Sequence, residues 1–204
     1  NSTGGNLTHT IFKNNEAKYG AALCRESRST NGFGINNTFI ANHAYIAGAG
    51  LAWMNAKGIK INNYTFVNNT ADEGGAAIFI NTGSANCVIF NSTFTENHLT
   101  DSTIQGHYGG AIFCMADNTT INMSSFKENR AYSGGAIYVS SDSGNTKIIE
   151  SNFTENSAYR DGGAIGLRAS MLDINASSFK DNYAEHGDGG AVYVGGNGST
   201  NSIH

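Results

Sequence analysis

The sequence predicts an all-β fold, a single-stranded parallel β-helix of about seven coils, and three observations support this. A phenylalanine is followed three residues later by an asparagine seven times, and successive phenylalanines lie 26 to 32 residues apart. Each pair leads into a step of glycine and alanine. Proline is absent from the chain, as expected where most strands are paired on both sides. The seven pairs are Phe12/Asn15, Phe39/Asn42, Phe66/Asn69, Phe94/Asn97, Phe126/Asn129, Phe153/Asn156 and Phe179/Asn182.

Each repeat contains the signals of short strands separated by turns. Alternating apolar residues before the phenylalanine, such as Ile59 and Ile61, predict a strand with one buried face, and a second strand is predicted after the glycines. The segments between them are polar and turn-like, and no repeat has the apolar spacing of a helix. This pattern is typical of a three-sided parallel β-helix. The glycines that open the small-residue step are Gly20, Gly48, Gly75, Gly110, Gly135, Gly163 and Gly190.

Stacking of the coils predicts the role of the repeated residues. Each residue would lie about 4.8 Å above its counterpart in the preceding coil. The phenylalanines then form an internal aromatic stack, and the asparagines form an amide ladder in which buried polar groups are satisfied. Alanine recurs two residues after the asparagine, except at Leu99, where residues 98–107 are predicted to form an inserted loop. We expect residues 1–204 to be one β-helix domain, either a segment of a longer chain or a stacking subunit.

Composition argues against several classes of function. Charged residues make up 14% of the chain, its net charge is −4, and it has no basic stripe, so nucleic-acid binding is not expected. No apolar stretch is long enough for a membrane span. The three cysteines suit buried free thiols, one disulfide with a spare, or a bond to a neighbouring chain; Cys87 and Cys114 occupy apolar repeat positions and are interpreted as core residues.

The combination of Gly-Gly-Ala-Ile, at residues 134–137 and 162–165, with Phe-x-x-Asn resembles the repeats of chlamydial polymorphic outer-membrane proteins. It is also similar to related adhesin-like β-helix proteins. The step is degenerate in the first two coils, at residues 19–23 and 47–51. The resemblance implies a right-handed parallel β-helix displayed at a cell surface, generally in adhesion. We expect no membrane barrel among these repeats, and the autotransporter mode of display does not follow from the repeats alone.

Asn-x-Ser/Thr sequons are more frequent than chance placement of these residues predicts. We expect N-glycosylation along one edge of the helix, although repetition of one asparagine-rich turn would also raise the count. Several sequons lie three or four residues before the phenylalanine, namely Asn36, Asn63, Asn91, Asn122 and Asn175. The complete set is Asn1, Asn6, Asn36, Asn63, Asn68, Asn91, Asn118, Asn122, Asn152, Asn175 and Asn197.

Two groups of carboxylates are candidate ligands for a cation. A column of acidic residues just before the asparagines would repel itself unless it is hydrated or neutralised, and Lys127 and Lys180 lie beside it. We interpret this column as a solvated edge, with calcium or carbohydrate binding as the alternative. Asp161 and Asp188 precede the glycines of adjacent coils and are a weaker calcium candidate. No metal or cofactor is therefore predicted. The column consists of Glu96, Glu128, Glu155 and Asp181.

Four aromatic residues share one outward position after the glycines: Phe79, Phe113, Tyr138 and Tyr193. They form either an exposed stripe for sugar or protein contact, or strand residues that suit a pleated surface. Pectate-lyase-like enzymes use the same fold, but the sequence lacks a dense cluster of carboxylates with arginine. No catalytic residue is predicted.

These observations favour a non-enzymatic structural or adhesive module at the cell surface or outside the cell. We expect it to carry N-linked glycans and to bind a surface carbohydrate or protein. Because no capping segment is evident at either end of the repeats, we also expect self-association, end to end into filaments or laterally. The alternative is a polysaccharide-binding or pectate-lyase-like β-helix.

Overall fold

The computed structural model of the chain describes residues 5–26, 31–140, 144–168, 171–196 and 201–203. All regular secondary structure within these residues is β-strand, and the strands form four sheets. Every pairing between strands is parallel and joins one coil to the next, as in Phe66 with Phe39 and with Phe94. The predicted parallel β-solenoid of about seven coils is therefore confirmed.

Each coil passes in turn through the four sheets. The first sheet contains Asn6–Thr8, Phe33–Ile35, Lys60–Asn62, Val88–Phe90, Thr119–Asn122, Asn145–Ile149, Met171–Asn175 and Ser202–Ile203. The phenylalanine sheet contains Ile11–Lys13, Thr38–Ile40, Thr65–Val67, Thr93–Thr95, Ser125–Lys127, Asn152–Thr154 and Ser178–Lys180. The alanine sheet contains Glu16–Tyr19, His43–Ala47, Thr70–Ala71, His98–Leu99, Arg130–Ala131, Ser157–Ala158 and Tyr183–Ala184. The post-glycine sheet contains Leu23–Arg25, Leu51–Trp53, Ile78–Ile80, Ile112–Cys114, Ile137–Val139, Ile165–Arg168 and Val192–Gly195.

The expectation of three sides was wrong because the segment after each asparagine is also paired. In the middle coils this segment is a strand of two residues, too short to show a period in the sequence. The same pairing also corrects the predicted bounds of the inserted loop. His98 and Leu99 pair with Thr70 and Ala71, and the Thr100 backbone nitrogen donates to the Ala71 carbonyl at 2.9 Å. The His107 carbonyl accepts from the Tyr132 backbone nitrogen at 3.0 Å, so the insertion lies between Thr100 and His107.

The phenylalanine rings stack through the whole interior. Neighbouring ring centroids are 4.6 to 5.0 Å apart with nearly parallel planes, and the five central rings are fully buried. Each stacked pair contributes about 0.5–1.5 kcal/mol beyond the burial of apolar area. Leucine, isoleucine and valine from the first and post-glycine sheets complete this core.

The asparagines form a continuous ladder at the corner between the phenylalanine and alanine sheets. The Asn69 amide nitrogen donates to Asn97 Oδ1 (2.9 Å) and to the Phe39 carbonyl (3.0 Å). Its oxygen accepts from the backbone and side-chain nitrogens of Asn42 at 3.1 and 2.9 Å. The side chain thus makes the four hydrogen bonds that an amide can make. The pairing between side chains continues from Asn15 to Asn182.

A second polar ladder lies at the corner before the phenylalanines and was not predicted. The Ser124 backbone nitrogen donates to Ser151 Oγ (3.2 Å), and the Ser124 hydroxyl donates to the Asn122 carbonyl (3.0 Å). Ser92 and Ser151 make equivalent contacts. The signal in the sequence was a serine two residues before the phenylalanine in four successive coils.

Left-handed backbone recurs at the corners of each coil. The third corner uses glycine, and pairing of Ile78 with Ile112 aligns Gly75 with Gly109. The glycines that the sequence analysis named in the last four coils were therefore wrong by one residue. In each of these Gly-Gly pairs the first glycine, not the second, has the positive φ. At Gly162, with φ 70°, a Cβ would clash with the Ile165 carbonyl oxygen. The glycines at this position are Gly20, Gly48, Gly75, Gly109, Gly134, Gly162 and Gly189.

All three cysteines are free thiols in the structure. Cys87 and Cys114 are fully buried in the core. Burial raises the pKa of Cys87 to about 12 and also raises the pKa of Cys114. Cys24 is partly exposed, and partial burial raises its pKa as well. The interpretation of Cys87 and Cys114 as core side chains therefore agrees with their positions.

Candidate functional site

The sequon asparagines lie at several corners of the coil. Asn1 and Asn197 are outside the described residues; of the other nine, Asn36 and Asn122 are half-buried and seven are exposed. The sequons near the phenylalanine occupy two neighbouring positions: Asn36, Asn63 and Asn91 are at a left-handed corner, whereas Asn122 and Asn175 end strands of the first sheet. The exposed sequons are Asn6, Asn63, Asn68, Asn91, Asn118, Asn152 and Asn175.

Side-chain contacts distinguish some of these asparagines from the rest. The Asn63 amide nitrogen donates to Asn36 Oδ1 at 2.7 Å, so these two side chains bind each other along the corner. The Asn122 Oδ1 atom is buried without a hydrogen-bond partner. The exposed sequons are therefore better placed for modification than Asn36 or Asn122.

The acidic column occupies the left-handed corner that precedes the asparagine ladder. Lys127 Nζ lies 3.0 Å from Glu128 Oε1 and 3.6 Å from Glu155 Oε2, and Lys180 lies 3.8 Å from Asp181. The lysine beside Glu128 lowers the pKa of that carboxyl group. Within the described part of the chain, no three His, Cys, Asp or Glu side chains are grouped as a metal site would require. The column has the contacts of a solvated edge in which lysine offsets the repulsion.

The outward aromatic column is mostly covered. Phe79 and Tyr138 are each only 7% exposed, so an exposed stripe is wrong for these two residues. Tyr19 stacks on Phe79 at 6.2 Å, and Tyr108, which follows the inserted loop, stacks on Tyr138 at 4.1 Å. Phe113 packs edge-on against both Tyr108 and Tyr138. The result is an outer aromatic layer over the post-glycine sheet.

This layer is interrupted where a glycine takes the aromatic position. Gly166 pairs with Tyr138 on one side and with Tyr193 on the other. Gly166 is buried, and a Cβ there would meet Tyr138 Cδ2 at 2.9 Å, so the Tyr138 ring lies over the glycine. Beside these residues is a cleft of about 330 Å³. We call this the tyrosine cleft, and its principal lining residues are Tyr108, Tyr138, Arg160, Asp161, Arg168 and Tyr193.

Hydrogen bonds fix only part of the lining. Asp161 Oδ1 accepts from the Asp188 backbone nitrogen at 3.0 Å, and Asp161 Oδ2 is 3.9 Å from Arg160 Nε. A hydrogen bond from Arg160 to the Tyr132 hydroxyl, and then the charge of Asp161, raise the pKa of Arg160. Asp161 therefore holds the corner and partly neutralises Arg160.

Other polar groups of the cleft are unpartnered within the described residues. The Tyr138 hydroxyl makes no hydrogen bond to them and, since it is not among the buried polar atoms that lack a partner, it reaches the solvent of the cleft; the Arg168 side chain makes neither a hydrogen bond nor an ion pair with them. Burial raises the pKa of Tyr138 to about 12; Tyr108 adds to this rise and Arg168 opposes it. Tyr138 is therefore a neutral hydroxyl near neutral pH, able to donate to a ligand.

The chemistry of this cleft favours binding over hydrolysis. Among the described residues that line it, Asp161 is the only carboxylate, whereas glycoside hydrolysis generally uses two carboxyl groups across the bond. Aromatic rings with a few convergent polar groups are typical of small-ligand sites. Sequence reasoning named Tyr138 and Tyr193 in one column and Asp161 separately, but it did not bring them together. The available signal was Gly166, which interrupts the aromatic residues that hold this position in the later coils.

Comparison with known proteins agrees with the repeat pattern. The Chlamydia polymorphic membrane protein repeat matches residues 63–81, 124–140 and 150–167. The match is to these three segments, which together make up about a quarter of the chain. Each matched segment contains a phenylalanine of the stack and its asparagine, and the last two run into the Gly-Gly-Ala-Ile corner.

A longer but weaker similarity was found to a curated bacterial protein. The chain is 27% identical over 171 residues to the "Probable autotransporter YfaL" of Escherichia coli (strain K12). The alignment covers 81% of this chain and 12% of that protein, so the chain spans a small part of its relative. Separately, no described helix could cross a membrane.

Proposed function

We propose that this chain is part of a non-enzymatic adhesive β-solenoid exposed at a cell surface. The observation that carries the proposal is the repeat itself, which is of the polymorphic membrane protein type and forms one continuous core. The similarity to a probable autotransporter supports an outer-membrane or cell-surface location. Such a rod would hold its lateral faces, including the tyrosine cleft, away from the cell.

Attachment of coated beads to cultured cells tests this proposal. Beads carrying the folded chain should attach more than beads carrying albumin or heat-unfolded chain, because binding depends on residues that only the coils bring together. Attachment at the level of the albumin control would contradict an adhesive role. The same preparation incubated with uronic-acid polymers should release no new reducing ends.

The second candidate is a polysaccharide-binding or pectate-lyase-like solenoid. The tyrosine cleft favours its binding form, because aromatic and guanidinium groups line a space of ligand size. Cleavage of a polysaccharide by the folded chain, lost on replacement of Asp161 by asparagine, would establish the enzymatic form instead.

We also propose N-glycosylation of the exposed sequons and self-association end to end or laterally. Exposure of seven sequon side chains supports the first of these. Intact mass of the natively purified chain before and after deglycosylation tests it, and an unmodified mass would refute it. Negative-stain images of the same sample test self-association, which would be refuted by single rods at high concentration.

A further inference from the structure

We propose that the tyrosine cleft binds an acidic saccharide, with a sugar ring against its tyrosines and a carboxylate on its arginines. This inference rests on the proposed function, since it names the ligand class that the adhesive surface would recognise. It is argued from the shape of the cleft, its unpartnered polar groups and its charge.

The shape of the cleft suits one or two sugar rings. Its volume of about 330 Å³ is near the lower end of the roughly 300–1,000 Å³ range of small-ligand pockets. Tyr138 is held on one side by Tyr108, whose ring centroid is 4.1 Å away, and its ring lies over Gly166 on the other side. Tyr193 follows Gly166 in the same column. Tyr108 and Tyr193 are half-buried, so their rings keep exposed parts that can contact the apolar face of a sugar ring.

The unpartnered polar groups indicate a ligand that carries many hydroxyl groups. The Tyr138 hydroxyl is not among the buried polar atoms that lack a partner, so it reaches the solvent of the cleft. It has no hydrogen-bond partner among the described residues, and the same holds for the hydroxyl groups of Tyr108 and Tyr193 in the lining. Sugar hydroxyl groups both donate and accept, so they match tyrosine hydroxyls better than an apolar ligand would.

The charge of the cleft indicates that this saccharide is an anion. Among the described residues of the lining, Arg160 and Arg168 face one carboxylate, Asp161, so this lining carries a net positive charge in a chain whose net charge is −4. Asp188 is outside the lining, and its charge also raises the pKa of Arg160. Arg168 has no ion-pair partner among the described residues, whereas Arg160 is 3.9 Å from Asp161. Because guanidinium groups bind carboxylates through two parallel hydrogen bonds, Arg168 is the expected contact of a uronic acid.

Titration of the isotope-labelled chain with two disaccharides, followed by NMR, tests the inference. Cellobiouronic acid, a glucuronosyl-glucose, is the acidic probe, and cellobiose is its neutral counterpart. Cellobiouronic acid should shift the tyrosine and arginine signals of the cleft at millimolar concentration, and cellobiose should bind about tenfold more weakly. Added salt should weaken the binding of cellobiouronic acid and leave the binding of cellobiose unchanged. Equal binding of the two probes, or binding of neither, would overturn the inference.

Two substitutions separate the parts of the site. Arg168→Gln should weaken cellobiouronic acid about tenfold and leave cellobiose unchanged, because it removes a charge-assisted contact from an exposed side chain. Tyr138→Phe keeps the ring but removes the hydroxyl group, and it should weaken the binding of both probes about fivefold. Lys147→Gln removes an exposed positive charge from the first sheet and serves as the matched control. An effect of Lys147→Gln equal to that of Arg168→Gln would overturn the site by showing only a general charge effect.

The outcomes for the two proposals are distinguishable. If beads adhere to cells but the chain does not bind cellobiouronic acid, the adhesive function stands and this inference fails. If the chain binds cellobiouronic acid in the expected order but beads do not adhere, the inference stands and the adhesive function fails.

Discussion

Replacement of Asn129 tests whether the asparagine ladder stabilises the solenoid. Asn129 is fully buried, and its amide nitrogen donates to Asn156 Oδ1 (2.9 Å) and to the Phe94 carbonyl (3.0 Å). Its oxygen accepts from the backbone and side-chain nitrogens of Asn97 at 3.0 and 3.1 Å. Asn129→Ala therefore removes four hydrogen bonds and leaves the Asn97 backbone N–H without a partner.

The expected loss follows from these contacts. A buried donor left without a partner costs about 1–3 kcal/mol, and an ordinary hydrogen bond contributes about 1 kcal/mol. Asn129→Ala should therefore lower the free energy of unfolding by about 3–5 kcal/mol, a large part of the roughly 5–15 kcal/mol typical of a domain. Urea titration followed by far-ultraviolet circular dichroism measures this loss, and amide exchange at Asn97 shows whether it is local.

Asn129→Asp adds a dependence on pH. It keeps the accepting oxygen but places a carboxylate against the acceptor oxygens of Phe94 and Asn156, so burial should raise its pKa above the unfolded value of about 3.9. The penalty should be complete above the folded-state pKa, shrink as pH falls through it, and vanish below the unfolded value. A loss of stability that does not change with pH would contradict this account.

Asn68 provides a matched control, because it is the residue immediately before a ladder asparagine, Asn69. It is exposed, and Ala41 and Asp181 occupy the same left-handed position in other coils, so alanine and aspartate are both tolerated there. Asn68→Asp should change the free energy of unfolding by less than about 0.5 kcal/mol, and Asn68→Ala should lower it by about 1 kcal/mol, because alanine is less favourable than asparagine at positive φ. The reasoning is refuted if Asn129→Ala costs no more than Asn68→Ala.

Three further predictions concern the core, the acidic column and the cysteines. Phe126→Ala should cost about 3–5 kcal/mol in urea titration, because a fully buried ring with a stacked neighbour on each side is removed; a cost below about 1 kcal/mol would contradict the stack. Lys127→Gln should raise the pKa of Glu128 in an NMR titration, since the lysine lowers it; the present contact would then contribute to stability at neutral pH and lose that contribution as pH falls through the lowered pKa. In the folded chain Cys24 should react with a thiol reagent well before Cys114, which is completely buried, and equal rates would contradict the packing.

The sequence was most informative where a side chain points into the coil. The phenylalanines, the asparagines and the apolar residues of the first sheet meet their own counterparts, so their chemistry repeats and the period is visible. The alanine sheet was missed because its middle strands have two residues and no alternation. The glycine register was one residue out in the later coils because two successive glycines look alike in sequence, while only the backbone shows which of them has the positive φ.

The tyrosine cleft was harder to predict because its residues come from different coils and different positions. Tyr108 follows the only long insertion, and Arg168 lies at the end of a post-glycine strand. Tyr138 and Tyr193 were recognised as one column, but whether that column was exposed depended on Tyr108, which covers one side of it. Periodicity predicts which residues are stacked; it does not predict what an irregular segment places over them.

The ladders also have a consequence for how such a chain changes length in evolution. The segment from Phe126 to Phe153 begins and ends at equivalent positions of the repeat. If this segment were duplicated or deleted, residues of the same type would still stack on each other where the coils are rejoined. A gene could therefore gain or lose one rung of about 4.8 Å without any compensating substitution in the interior. Reach from the cell would then vary by whole coils, while the outer face remains free to diversify one coil at a time.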